Sequence, residues 1–251
     1  TSGEGSGASE LTSFDADGFT YGSAAGGNHS GGTYVAWGWD AGTSAATAST
    51  QGSVTPTAQW VNATAGFSIT NYQVSASSTF TVGHGLSAAP KFIICKNRDS
   101  TNNWDCYHHE IGPTYRIELN TTDAKEDYDG PWADTAPTST VMSQKGGGAW
   151  YTAGDDVVMY CFAEIPQYSK FGAYAGTGAE GNYVHCGFRP AWIMIRGHDF
   201  AGESWFIFDN KRDPHNEVDE RLLTNVNLVA NEDQDFGDIM SNGFRLMNGW
   251  S

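Results

Sequence analysis

Basic residues are scarce: 13 Lys and Arg stand against 29 Asp and Glu, for a formal net charge of −16 and a pI near 4.6. Phosphate binding needs clustered cations, so nucleic acid is excluded as a partner, and an anionic bilayer would repel the chain. No apolar run approaches the roughly 20 residues of a membrane helix, so membrane insertion is not expected. The opening residues TSGEGSGASE hold neither a basic nor an apolar signal region. The 4 cysteines show no C-x-x-C spacing, which speaks against zinc and against a disulfide framework.

Glycine is abundant, at 31 residues, alongside Ser, Thr, Asn and 13% aromatics. That mixture favours many short strands joined by turns over long helices, and an all-β fold is expected. A chain of 251 residues can hold one large domain or two of ordinary size.

Two stretches carry the same punctuation: HGLSAAPKFIICKNRDSTNNWDCYHH (84–109) and HCGFRPAWIMIRGHDFAGESWFIFDN (185–210). Pro90 falls opposite Pro190, KFIICK opposite AWIMIR, Asp99 opposite Asp199, and Trp104 opposite Trp205 after one inserted residue. This is an internal repeat with a period of about 100 residues, longer than a solenoid unit. SGGTYVAWGWDAG (30–42) echoes AGDDVVMYCFAEI (153–165), and each reads as a closing strand. DADGFTYG (15–22) echoes MSNGFRLM (240–247), where Asp-Gly and Asn-Gly before an aromatic signal hairpin turns.

The echoes divide the chain into tandem β-sandwich modules, of jelly-roll or concanavalin-like type, with long polar loops. Residues 1–42 are the end of a first module, 43–59 a Ser/Thr/Ala-rich linker, 60–166 a complete module, and 167–251 a second copy lacking its closing strand. A longer parent chain is expected. Within the complete module GFSITNYQV and STFTVGHG alternate like half-buried strands, KFIICK and NWDCYHH form a hairpin, and YRIELN is a further strand. The polar stretch before the closing strand reads as a surface loop, where function usually resides on a β scaffold.

Cys95 and Cys106 sit on the two arms of the KFIICK–NWDCYHH hairpin, equidistant from its tip, and the second copy has Ile195 and Ile207 in their places. They read as a buried cross-strand pair, either packed thiols or a disulfide. His108, His109 and Glu110 tempt a metal reading, but adjacent strand residues point to opposite faces, and a strand end at the surface is expected. His84 is expected to satisfy the backbone of its turn. The acidic loops DAKEDYDG and NEDQDFGD make Asp123, Asp127, Asp129, Asp233, Asp235 and Asp238 candidate calcium ligands beside the plainer reading of solvated loops. No other cofactor is expected. Trp37, Trp39, Trp104, Trp192 and Trp205 lie in strand-like runs and are expected in cores. Trp60, Trp132 and Trp150 lie in or beside loops and are candidates for stacking on sugar rings.

Several runs, among them KFIICKNRDSTNNWDCYHHEIG, IELNTTDA, WADTAPTSTV, DDVVMYCFAEIPQYSKFGAYAGTG and GFRPAWIMIRGHD, resemble the repeat modules of large structural proteins of tailed bacteriophages, especially those of marine and cyanobacterial hosts. The resemblance covers nearly the whole chain from about Gly18 onward. It implies a β-rich tail fibre or appendage, assembled in the host cytoplasm into the virion as a homo-oligomer. Its implied partners are other virion proteins, further copies of the chain and host surface glycans. The resemblance supplies no catalytic motif, no catalytic residue is assigned, and an enzyme is not expected. A capsid decoration protein, an extracellular filament or adhesin, and a carbohydrate-binding module of a polysaccharide-degrading enzyme stand as alternatives.

Overall fold

A computed structural model describes residues 10–22, 27–43, 45–148, 150–226 and 236–247. Among these residues the protein is all-β, with no helix. The strands are β1 (Leu11–Asp15), β2 (Gly18–Tyr21), β3 (Ala58–Asn62), β4 (Phe67–Gln73), β5 (Thr79–Gly83), β6 (Phe92–Asn97), β7 (Asp105–His108), β8 (Tyr115–Glu118) and β9 (Glu126–Asp127). They continue with β10 (Val141–Lys145), β11 (Asp156–Phe162), β12 (Asn182–His185), β13 (Trp192–Ile195), β14 (Phe206–Asp209), β15 (Leu222–Leu223), β16 (Gly237–Met240) and β17 (Gly243–Leu246).

The complete copy is a two-layer unit. Its main sheet has the order β3-β4-β11-β6-β7-β8-β9, and the pair β5–β10 covers one face. Alternation along the central strands explains the layering: Val157, Met159 and Cys161 on β11, with Ile93 and Cys95 on β6, point toward Phe80, Val82 and Met142 of the covering pair. Two buried polar bridges join the layers. Tyr72 donates its hydroxyl to Gln144 Oε1 at 2.9 Å, and Gln59 donates from Nε2 to the Gly83 carbonyl at 2.8 Å. Each removes a buried donor that would otherwise be unsatisfied.

The second copy repeats the plan in reduced form. β12–β17 answers β5–β10, and β13–β14–β15 answers β6–β7–β8. Its core is Ile193, Phe208, Val218, Phe236, Ile239 and Phe244, with the Phe208 and Phe236 rings stacked 3.7 Å apart.

The other face of the main sheet is also buried. Phe92, Cys106 and Ile117 pack there against Trp205, Met194 and Phe171, so the second copy docks on the back of the first. Around this apolar seam Trp205 Nε1 donates to the Glu118 carbonyl at 2.9 Å, Arg196 reaches the carbonyls of Thr121 and Asp123, and Thr224 Oγ1 donates to the Leu119 carbonyl at 2.7 Å.

Four expectations are corrected. The Ser/Thr/Ala-rich run is not a free linker: Val54 bridges Val82 in parallel, and Ser53 N–H donates to Thr81 Oγ1 at 2.9 Å. Small side chains permit that approach, since a Cβ on Gly52 would stand 2.5 Å from the Thr81 carbonyl. Residues 32–40 form no strand, and Trp39 is 43% exposed. Cys95 and Cys106 are not a facing pair. β6–β7 register sets Cys95 opposite Asp105 and Ile94 opposite Cys106, so the two thiols lie on opposite faces of the sheet, one in each core. All four cysteines are free. Trp132 is 1% exposed with its ring 5.7 Å from that of Tyr107, so it is core and not a platform for sugars; the loop that carries it folds back over the sheet.

Candidate functional site

A buried ion cluster stands where β7, β8 and β9 end the main sheet. Asp105, Arg116 and Glu118 lie on the same face because Asp105 is opposite Glu118 in the β7–β8 register and alternate residues share a face. The guanidinium of Arg116 is 4% exposed and is held by three carboxylates: Asp105 Oδ1 at 2.8 Å, Glu126 Oε2 at 2.7 Å and Glu118 Oε1 at 3.3 Å. Two rings enclose it, with the guanidinium carbon 4.3 Å from the centre of Tyr128 and 4.2 Å from that of Trp150. A planar, weakly hydrated cation suits this slot; a lysine ammonium could neither stack between the rings nor bridge the carboxylates.

Asp105 carries the electrostatic cost. Burial pushes its pKa up to about 6, while Arg116 and the Tyr151 hydroxyl, which donates to Oδ2 at 2.6 Å, pull in the other direction. Glu118 accepts from Asn103 Nδ2 at 2.7 Å, and Asn103 in turn accepts from Asn120 at 2.8 Å. Asn97 and Asn102 both donate to the Trp150 carbonyl and so fix the ring that covers Arg116.

Beside this cluster opens a groove of about 610 Å³. Trp150 forms one wall, Asn103 and Glu118 the floor, and Asp123, Lys125, Glu126 and Asp127 the rim. Lys125 is committed to the second copy through Asp199 Oδ1 at 2.7 Å. An aromatic wall beside amide and carboxylate groups suits hydroxyl-rich or cationic ligands, and the acidic rim repels anions.

A family model described as a domain of unknown function, DUF7483, matches residues 1–250. The chain belongs to that family. Comparison with curated proteins finds no match, and comparison with solved structures finds none.

Of the residues singled out in the DUF7483 sequence, the structure gathers three at the groove: Trp150, Asp123 and Asp127. Trp60 is half-buried on β3, at the opposite end of the main sheet. Asp129 is paired with Lys145 and Asp238 with Arg245. Asp233 and Asp235 lie outside the described residues. No group of three His, Cys, Asp or Glu converges as a metal set among the described residues.

His84 is fully buried, its Nδ1 accepting from Leu86 N–H at 3.1 Å and its Nε2 3.1 Å from the Thr138 carbonyl, as its turn position suggested. His108 and His109 stack at 5.2 Å beside the seam. Burial, then the neighbouring His109, push the His108 pKa down to about 4.

Sequence reasoning missed Arg116, Asp105 and Glu118. Their signal was available as alternation: in YRIELN the charged residues Arg116 and Glu118 fall on one face and Ile117 on the other. Charges on an inward face announce a buried ion network.

Proposed function

We propose that the chain is a structural and contact-making part of a tailed-phage virion protein, a tail fibre or appendage built of repeated β copies. One observation supports this above all: the two copies are docked through an apolar and hydrogen-bonded seam instead of hanging from a flexible linker. Neighbour-to-neighbour burial of this kind stiffens an array, and stiffness is what a fibre needs. The motif resemblance supplies the virion class. Light scattering on the chain tests the reading, with a trimer or larger symmetric assembly expected; a monomer at all concentrations would overturn it.

A second reading, glycan binding as in a carbohydrate-binding module, is favoured by the groove that sets Trp150 beside Asn103 and Glu118. On a fibre the same groove would touch host surface glycans. A glycan array should return neutral or amino sugars and reject sulfated ones, and Trp150→Ala should abolish that binding while the copies stay folded. Binding that survives Trp150→Ala would remove the groove from this role.

A further inference from the structure

In the complete copy, β11 takes the outer edge of β6, with Phe162 opposite Phe92, Met159 opposite Cys95 and Val157 opposite Asn97. β13 is the counterpart of β6. Aligning KFIICK with AWIMIR puts Trp192 where Phe92 stands and Ile195 where Cys95 stands. β13 pairs with β14 on one side, and among the described residues no strand pairs with the other. An open edge of this kind leaves a row of backbone donors and acceptors ready for another strand.

The segment that echoes β11 is 30–42, and matching it residue by residue sets Thr33 on Asp156, Ala36 on Met159 and Trp39 on Phe162. The β11–β6 register then makes a specific demand: Trp39 opposite Trp192, Ala36 opposite Ile195, Tyr34 opposite Gly197. The structure brings the first of these pairs together through their side chains. The indoles of Trp39 and Trp192 stand edge to face with centres 5.5 Å apart, and Trp39 also reaches Phe162 at 6.3 Å. Asn62 donates to Asp40 Oδ2 at 2.9 Å, which holds the end of the segment beside β3. Upstream of this anchor Tyr34 is 55% exposed and Val35 37%, although TYVAWGW is rich in strand formers.

We propose that residues 33–39, which form no strand in the conformation described above, add antiparallel to the open edge of β13 as the closing strand of the second copy, in the register that β11 adopts on β6. In that register Ala36 and Gly38 face the core around Ile193, and Trp37 and Trp39 face the apolar seam between the copies. The second copy is thus assembled from segments on both sides of the complete copy, and the whole becomes one interlocked body. The donor is the chain's own segment, because Asp40 and Trp39 already anchor it beside Asn62 and Trp192.

Two independent measurements on the full chain test this. Hydrogen exchange of the unmodified protein should show the amides of 34–38, and those of 192–197 that do not pair with β14, exchanging at least about tenfold more slowly than an exposed edge. Gly38→Pro should abolish that protection and leave β6 and β11 unchanged. In the variant Ala36→Cys/Ile195→Cys, mild oxidation should join the two positions within one chain, while Val35→Cys/Ile195→Cys, one residue out of register, should not link. A link that forms only between two chains overturns the assignment to the chain's own segment. Fast exchange at both segments in the unmodified protein overturns the closing strand itself.

Discussion

Trp205 Nε1 donates to the carbonyl oxygen of Glu118 across 2.9 Å, tying the second copy to the end of β8, and the Trp205 ring lies 6.1 Å from that of Phe92 on the same seam. Phe92, Cys106 and Ile117 would otherwise face water, so this contact decides whether the two copies behave as one body. Trp205→Ala should cost about 3–5 kcal/mol, the range for emptying a buried aromatic site. Trp205→Phe should cost about 1 kcal/mol beyond its lost area, since it leaves the Glu118 carbonyl unpaired. Urea unfolding followed by fluorescence checks both, and an unchanged midpoint in Trp205→Ala would show that the copies fold independently.

Arg116 neutralises a buried carboxylate cluster, so removing it is expected to hurt more than removing an exposed ion pair. Arg116→Met leaves Asp105 and Glu118 without their cation and should destabilise by about 3–5 kcal/mol. Without Arg116 the folded pKa of Asp105 rises further above about 6. The penalty should therefore be larger at pH 8, where Asp105 must be charged, than at pH 5. Equal penalties at the two pH values would contradict the buried-charge account.

His108 and Asp105 act on acid stability with opposite signs. His108 has a folded pKa near 4 against about 6.5 in the unfolded chain, so its contribution is complete above about 6.5 and is lost as pH falls toward 4. Asp105 is raised to about 6, so its contribution is complete below the ordinary carboxylate value and is lost as pH rises through 6. In the wild-type chain the two largely offset between pH 4 and 6.5. His108→Asn leaves Asp105 alone, and stability should then fall steadily as pH rises through that window. Urea midpoints across the window give the slopes; identical slopes in both proteins would refute the assignment.

The cysteines differ in access. Burial pushes the thiols of Cys95, Cys106 and Cys161 up, and Cys186 alone is half-exposed. A thiol reagent should label Cys186 first in the folded chain, and the unfolded, unreduced chain should yield all 4 thiols. A yield short by two would mean a disulfide that this fold does not place.

Local chemistry was legible from the sequence. The hairpins β1–β2 and β16–β17 form where Asp-Gly and Asn-Gly stand, with Ala16-Asp17 and Ser241-Asn242 making the turns and Gly18 and Gly243 opening the second strands opposite Asp15 and Met240. KFIICK and NWDCYHH form adjacent antiparallel strands joined by the polar loop 98–104, and AWIMIR repeats the first of them as β13. The weaker strands were not legible: VMSQK carries little alternation, and it is a strand because β5 lies beside it.

By itself the sequence determined the all-β class, the repeated spelling and the main hairpins, since composition, turn chemistry and alternation act over a few residues. Only the tertiary structure decided what lies far apart in the chain. It inserted β11 between β4 and β6, turned Cys95 and Cys106 to opposite faces through a one-residue register, buried Trp132, and enclosed Arg116 between Tyr128 and Trp150. A period-two side chain changes face with each step of register, and register between distant strands is set by which layers can be buried together, a quantity no local window contains.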